Sequence, residues 1–118
     1  EYNTVQGNTQ MITKRKFKEE VKRIVNQLIK EYHPEKVILF GSLSEKNKSP
    51  RDIDLFIIKK NPPHLGVDRI RELDKLIKYK IATDFIVYTP EEVKKRAKLG
   101  DPFVKAVFKN GNVLYAKE

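Results

Sequence analysis

Two aspartates, Asp52 and Asp54, open the run "DIDLFII" (52–58), which is otherwise entirely apolar. Aspartate is a poor strand former, and an unpaired charge at a buried strand is costly. In a strand, residues two apart share a face and lie roughly 6–7 Å from each other. Asp52 and Asp54 are therefore expected to point the same way, with Ile53 and Leu55 facing the opposite layer. Carboxylates so placed repel, and one takes up a proton unless a cation sits between them. A divalent ion answers that problem. Mg²⁺ in particular is held by one or two carboxylates, with waters and substrate phosphates completing its shell.

The rest of the chain decides what can reach those acids. Phe17, Val21, Ile24 and Leu28 recur at spacings of three and four, with Val25, Ile29 and Tyr32 widening the stripe. That pattern predicts an amphipathic helix, capped by Thr13 and ended at His33-Pro34. "VILF" (37–40) reads as a short strand covered on both faces, and Gly41 breaks it. Ser42 and Glu45 match a capping box, so a short helix is expected from Ser42. Residues 52–58 form the second strand. Pro62, Pro63 and Gly66 punctuate a loop. Val67, Ile70, Leu73 and Ile77 then predict a helix over 67–79. "TDFIVYT" (83–89) is the third strand. Thr89-Pro90-Glu91-Glu92 starts a helix that Gly100 ends. A further helix runs from Pro102 to Lys109, and Asn110-Gly111 turns into a last strand, "VLY". Strands alternate with helices, which predicts an α/β fold with one sheet covered by helices. The polar, aperiodic start of the chain suggests that residues 1–12 are a flexible lead or an added remnant. Met11 is then the natural start, and residues 13–118 are the folded domain.

A third acid fits the same place. Asp84 lies near the start of the third strand, as Asp54 lies near the start of the second. The segment between them is about the length of a right-handed parallel crossover. Parallel pairing of strands two and three brings Asp84 within reach of the other two acids. Antiparallel pairing of strands one and two brings Gly41 and Ser42 there as well. Gly41 permits close backbone approach. A helix beginning at Ser42 turns free N–H groups and the positive end of its dipole toward the cleft, which is a phosphate site. A phosphate cradle beside a carboxylate trio is equipment for phosphoryl or nucleotidyl transfer, in which two metal ions clamp the attacking and leaving oxygens.

Composition narrows the setting. The chain of 118 residues contains no cysteine, which excludes disulfides and thiolate metal sites and fits a reducing, cytoplasmic setting. No apolar run approaches the roughly 20 residues that span a bilayer, and no secretory signal pattern is present. The net charge of +9 comes with scattered lysines, so a solvated basic surface is the main reading and nucleic-acid contact the lesser one. His33 and His64, both beside prolines, read as loop residues on the surface. Tyr88 and Tyr115 read as sheet-packing groups.

The segments "LFGS", "DIDL", "TDFIVYTPEEV" and "GNVLY", in that order, resemble the minimal nucleotidyltransferase (MNT) family of the DNA polymerase beta-like superfamily. The resemblance spans residues 37 to 115. It implies a small mixed sheet covered by helices, the polymerase beta-like nucleotidyltransferase fold, over residues 13–118. It also implies that Asp52 and Asp54 hold two Mg²⁺ ions, and that Asp84 holds the catalytic one and helps deprotonate the acceptor hydroxyl. Gly41 and Ser42, by the same resemblance, are expected to bind the triphosphate. The implied reaction moves NMP, chiefly AMP from ATP, to a hydroxyl with release of pyrophosphate. Family members of this size often act as antitoxins beside a helical HEPN-type partner, and some adenylylate a tyrosine on it. Two departures stand out. Where the family commonly continues with Arg and small residues, this chain has Leu43-Ser44-Glu45-Lys46-Asn47, and the usual Ser before Asp-x-Asp is Arg51. Lys46, Lys48 and Arg51 are the available replacements for the lost arginine.

Three readings follow. One is an active nucleotidyltransferase that modifies a partner protein or works across a homodimer, since one small domain leaves little surface for an acceptor. Another is a catalytically weak module of the same fold that masks a toxin by contact. The last is a nucleic-acid-associated protein exploiting the basic charge.

Overall fold

The computed structural model describes residues 12–41 and 52–118. The expected capping box at Ser42 and Glu45, with the short helix it would start, lies outside them, as do Met11 and Arg51. Thr13 accepts a hydrogen bond from the Lys16 N–H at 3.1 Å and starts α1 (Lys14–Gln27). The helix then widens into a π-helical turn, Leu28–Tyr32, and stops at His33, which is left-handed with φ 59°. His33 precedes Pro34, which disfavours continued right-handed helix at that point.

Among the described residues the sheet has four strands: β1 (Lys36–Phe40), β2 (Ile53–Ile58), β3 (Thr83–Tyr88) and β4 (Asn112–Ala116). Their order is β3-β2-β1-β4, and the sheet is mixed, as the resemblance implied. β1 runs antiparallel to both of its neighbours, while β2 and β3 are parallel. Alternation sorts the side chains into two layers. Val37, Leu39, Ile53, Leu55, Ile57, Phe85 and Val87 pack under the first helix, with its Phe17, Ile24 and Leu28. Ile38, Phe56 and Ile58 face the other way. There they meet Val93 of α3 (Pro90–Lys98) and Val107 of α4 (Pro102–Asn110).

The helix expected over 67–79 is shorter: α2 spans Gly66–Leu76, and Ile77 is already extended. Leu73 and Ile77 are buried as expected, but Val67 is exposed. Arg69, two residues on, is unexpectedly buried, only 6% exposed. The guanidinium reaches across to α3. Nη1 bonds Glu92 Oε1 at 2.7 Å and the Val87 carbonyl at 3.0 Å, and Nε bonds the Pro63 carbonyl at 2.6 Å. Nη2 adds the His64 carbonyl at 3.2 Å. Glu92 also closes the predicted capping box. It accepts from the Thr89 N–H at 2.8 Å and donates its own N–H to Thr89 Oγ1 at 3.0 Å. One carboxylate thus starts α3 and ties it to α2.

A second tether fixes the approach to β3. Glu20, buried on α1, accepts from Arg23 at 2.8 and 2.9 Å and from the backbone N–H groups of Lys80 and Ile81. Gln27 brackets Lys78 with bonds of 2.7 and 2.8 Å. After α3, Gly100 (φ 79°) carries the reversal: its N–H bonds the Ala97 carbonyl, and the Asp101 N–H bonds the Arg96 carbonyl. This is the C-terminal motif that favours glycine. Asp101 then caps α4 through the Phe103 N–H at 2.9 Å. Among the described residues no helix is long and apolar enough to cross a membrane.

Removing Arg69 strands a carboxylate and three carbonyls at once. Arg69→Ala is expected to cost about 2–4 kcal/mol in urea denaturation. Glu92 is 44% exposed, so Glu92→Gln costs only about 1 kcal/mol at pH 7. The Arg69 hydrogen bond, then that from the Thr89 backbone, holds the Glu92 pKa below its ordinary 4.5. Its contribution is therefore present above pH 4.5 and lost as pH falls through the lowered folded value. The gap between wild type and Glu92→Gln should close over that range.

Candidate active site

The apolar layers dictate where the acids go. Ile53, Leu55 and Ile57 of β2 are buried on the α1 side, so Asp54 shares the opposite face with Phe56 and Ile58. On β3, Phe85 and Val87 fill the α1 side, so Asp84 shares the other face with Ile86 and Tyr88. The parallel register sets Asp54 directly beside Asp84. Neighbouring strands lie about 4.8 Å apart, so the two carboxyl groups are close. The Asp54 pKa is raised, by burial first, then by the charges of Asp84 and Asp52, and last by hydrogen bonding to Asp84. Asp54 is half-buried, whereas Asp84 and Asp52 are exposed. Asp52 lies just ahead of β2, not within it, and reaches Asp54 through its charge.

Gly41 completes the described part of the site. Phe40 is the antiparallel partner of Asp54, and Gly41 follows it with φ 83°. A Cβ on Gly41 would overlap Asp54 Oδ2 and lie 3.1 Å from its Cγ. Two constraints therefore demand glycine here: the left-handed backbone and the carboxyl packed against it. Ser42 lies outside the described residues, so only Gly41 of the expected phosphate-binding pair has a described place.

A metal fits this chemistry in a qualified way. Among the described residues, no three acidic, histidine or cysteine side chains form a cage for an ion on their own. Of the expected trio, the register sets Asp54 beside Asp84, and the charge of Asp52 also bears on Asp54. Two carboxylates are nevertheless the usual protein share of a Mg²⁺ shell that a substrate's phosphates complete. The like charges that raise the Asp54 pKa are what a cation relieves.

Sequence reading missed two groups nearby. Arg69, an ordinary member of a charged helix in the sequence, organises the junction behind β3. Phe103, at the start of α4, packs edge-on against Phe40. Its only sequence signal is its position beside Pro102. His33 and His64 are exposed, as expected. Tyr88 packs on Phe56, and Tyr115 against the α1-side core.

Comparison with known proteins gives one family match. The family described as "Polymerase beta, Nucleotidyltransferase" matches residues 22–118. No curated protein and no solved structure matches the chain.

Two stability measurements test this geometry. Because the Asp54 pKa is raised in the folded state, its stabilising contribution is lost as pH rises through that value. In chelator at pH 7, Asp54→Asn should raise Tm by ~3–6 °C, the response of a domain this size to about 1 kcal/mol. Added Mg²⁺ should stabilise the wild type more than the variant. Gly100→Ala, at φ 79° with open space around it, is expected to cost about 1 kcal/mol. Gly41→Ala should cost about 2–3 kcal/mol because the Asp54 carboxyl must also move. Adding Asp54→Ala to Gly41→Ala should recover that excess.

Proposed function

The chain belongs to the polymerase beta nucleotidyltransferase family, and from that membership we infer that it moves a nucleoside monophosphate, here read as AMP, from a nucleoside triphosphate to a hydroxyl group on a partner protein. Within the family, the reading takes the chain as a minimal nucleotidyltransferase working in the cytoplasm. One observation carries it: Asp54 and Asp84 stand side by side at the start of parallel strands, with the Gly41 backbone against Asp54.

The residues divide the work by environment. Asp54, half-buried and pressed toward protonation by its neighbours, suits a ligand that ionises when a cation arrives. Asp52 is the second ligand on this reading. Asp84, exposed beside Asp54, suits the group that accepts the hydroxyl proton. As that proton leaves, the acceptor oxygen bonds to the α-phosphorus. The bond from the α-phosphorus to the bridging oxygen breaks, and pyrophosphate departs with the bonding electrons. Gly41, with no Cβ, lets the backbone lie against the Asp54 carboxyl, so the triphosphate on this reading meets backbone and carboxylate together. Mg²⁺ bound at these acids would supply charge neutralisation at the reacting oxygens. On this reading the acceptor hydroxyl is delivered by another protein. A small helical HEPN-type toxin is the partner that the reading names.

A second reading has its own support. β4 is an edge strand, and Val113 and Leu114 on it are exposed, Val113 by 56%. Apolar residues on an open edge suit contact with a partner. On that reading the chain masks a toxin by binding, and catalysis is dispensable.

The test uses α-labelled ATP, Mg²⁺ and the purified partner. Label on the partner, lost in Asp52→Asn/Asp54→Asn and reduced about 100-fold or more in Asp84→Asn, is the result expected of the enzyme. Unlabelled partner that the double variant still neutralises would establish the contact reading instead.

A further inference from the structure

A group of aromatic rings beside the acids has no part in the roles above. Phe40 is the cross-strand partner of Asp54, and its side chain packs on the α3/α4 side of the sheet, the side that Asp54 shares. Directly opposed residues of an antiparallel pair lie about 4.5–5.5 Å apart. The Phe103 ring meets Phe40 edge-on, with centroids 5.5 Å apart and planes at 79°. It also tilts against Phe56, at 6.1 Å and 52°. Phe56 stands two residues along β2 from Asp54, roughly 6–7 Å away on the same face. Phe103 is therefore fixed between two rings that both flank the Asp54 carboxyl.

Its burial distinguishes it from its neighbours. Val104 and Val107 anchor α4 and are almost wholly buried, whereas Phe103 is 37% exposed. The Asp101 side chain accepts the Phe103 N–H and holds the first turn of α4 in place. A ring positioned this firmly, and still open over a third of its surface, has area to offer a flat ligand. A nucleotide's base and its α-phosphate are separated by one ribose. Phe103 likewise stands one ring beyond Phe40, the cross-strand partner of Asp54.

The geometry points to Phe103 as the platform on which the base of the bound nucleoside triphosphate stacks, with Phe40 backing it. The inference rests on the nucleotidyl-transfer reading and adds the base subsite to it. Stacking reads ring area and not hydrogen-bond pattern. The site accordingly favours purine over pyrimidine triphosphates and discriminates only weakly between the two purines.

The experiment is isothermal titration with Mg²⁺ and two ligands, α,β-methylene-ATP and inorganic tripolyphosphate. Phe103→Ala should weaken the nucleotide about ten-fold and leave tripolyphosphate unchanged. Phe103→Leu keeps the bulk against Phe40 and Phe56 and should weaken the nucleotide similarly, while Phe103→Trp should restore it. Equal loss of both ligands in Phe103→Ala and Phe103→Leu would show a structural role and overturn the inference. Unchanged nucleotide affinity in both would do the same. Wild-type protein that binds neither ligand removes the nucleotidyl-transfer reading, and the base platform with it.

Discussion

The register between two parallel strands, β2 and β3, is the constraint on which the rest depends. It holds two carboxyl groups together that would separate if they could. Nothing in the Asp54–Asp84 pair favours its own closeness until a proton or a cation joins it. The force comes from the other side of the sheet. Ile53, Leu55, Ile57, Phe85 and Val87 are all buried beneath α1. A slip of one residue in either strand would turn that strand's apolar set toward α3 and α4. Each large side chain so displaced loses a fitted place for one shaped to other residues, at about 1–3 kcal/mol. That sum exceeds any repulsion between two partly solvated carboxyl groups, so the core can impose the acid pair on the fold.

The crossover from β2 to β3 has to deliver the strand start as well as the strand. Glu20 and Gln27, on α1, bind the backbone of residues 78 to 81, just ahead of β3. Arg69 binds the far end of the strand through the Val87 carbonyl and hands on to α3 through Glu92. β3 is thus held at both ends by polar groups whose partners are mostly backbone. The same Arg69 contact occupies a carbonyl near the end of an edge strand. It leaves β4 as the edge with exposed apolar residues.

Much of this was legible in the sequence, for identifiable reasons. "VILF" and "DIDLFII" are short apolar runs bounded by breakers, and both became strands within a residue of the expected limits. Thr13, the Thr89–Glu92 box and Gly100 carry local signals that do not depend on the rest of the fold, and each acts as expected. Even the meeting of Asp54 and Asp84 followed from the length of the crossover. What resisted reading was long-range. The periodicity that suggested 67–79 could not register that Ile77 is buried as an extended residue beyond the helix end. Arg69 is one charged residue among many until Glu92 and three carbonyls surround it. The π-helical turn at Leu28–Tyr32 departs from the regular period by which the stripe was recognised. Asp52 was assigned to the strand on its spacing, yet it sits one residue before it.

The charge balance bears on how an acidic site can serve an anionic substrate. The chain carries +9 overall, so the acids are a local exception in a basic molecule. At physiological ionic strength screening acts over about 8 Å. Beyond that range an anion senses little of either sign, so the net charge acts only near the surface. On the nucleotidyl-transfer reading, the two scales are complementary. The basic surface raises the local concentration of the anion, and the acid pair holds it only through a shared cation. A basic site without the acids would bind phosphate and stop there, because nothing would accept the hydroxyl proton. An acidic site on an acidic chain would capture the cation but repel the triphosphate. Pairing Asp54 with Asp84 inside a lysine-rich chain meets both demands, and the hydrophobic register makes the pairing possible.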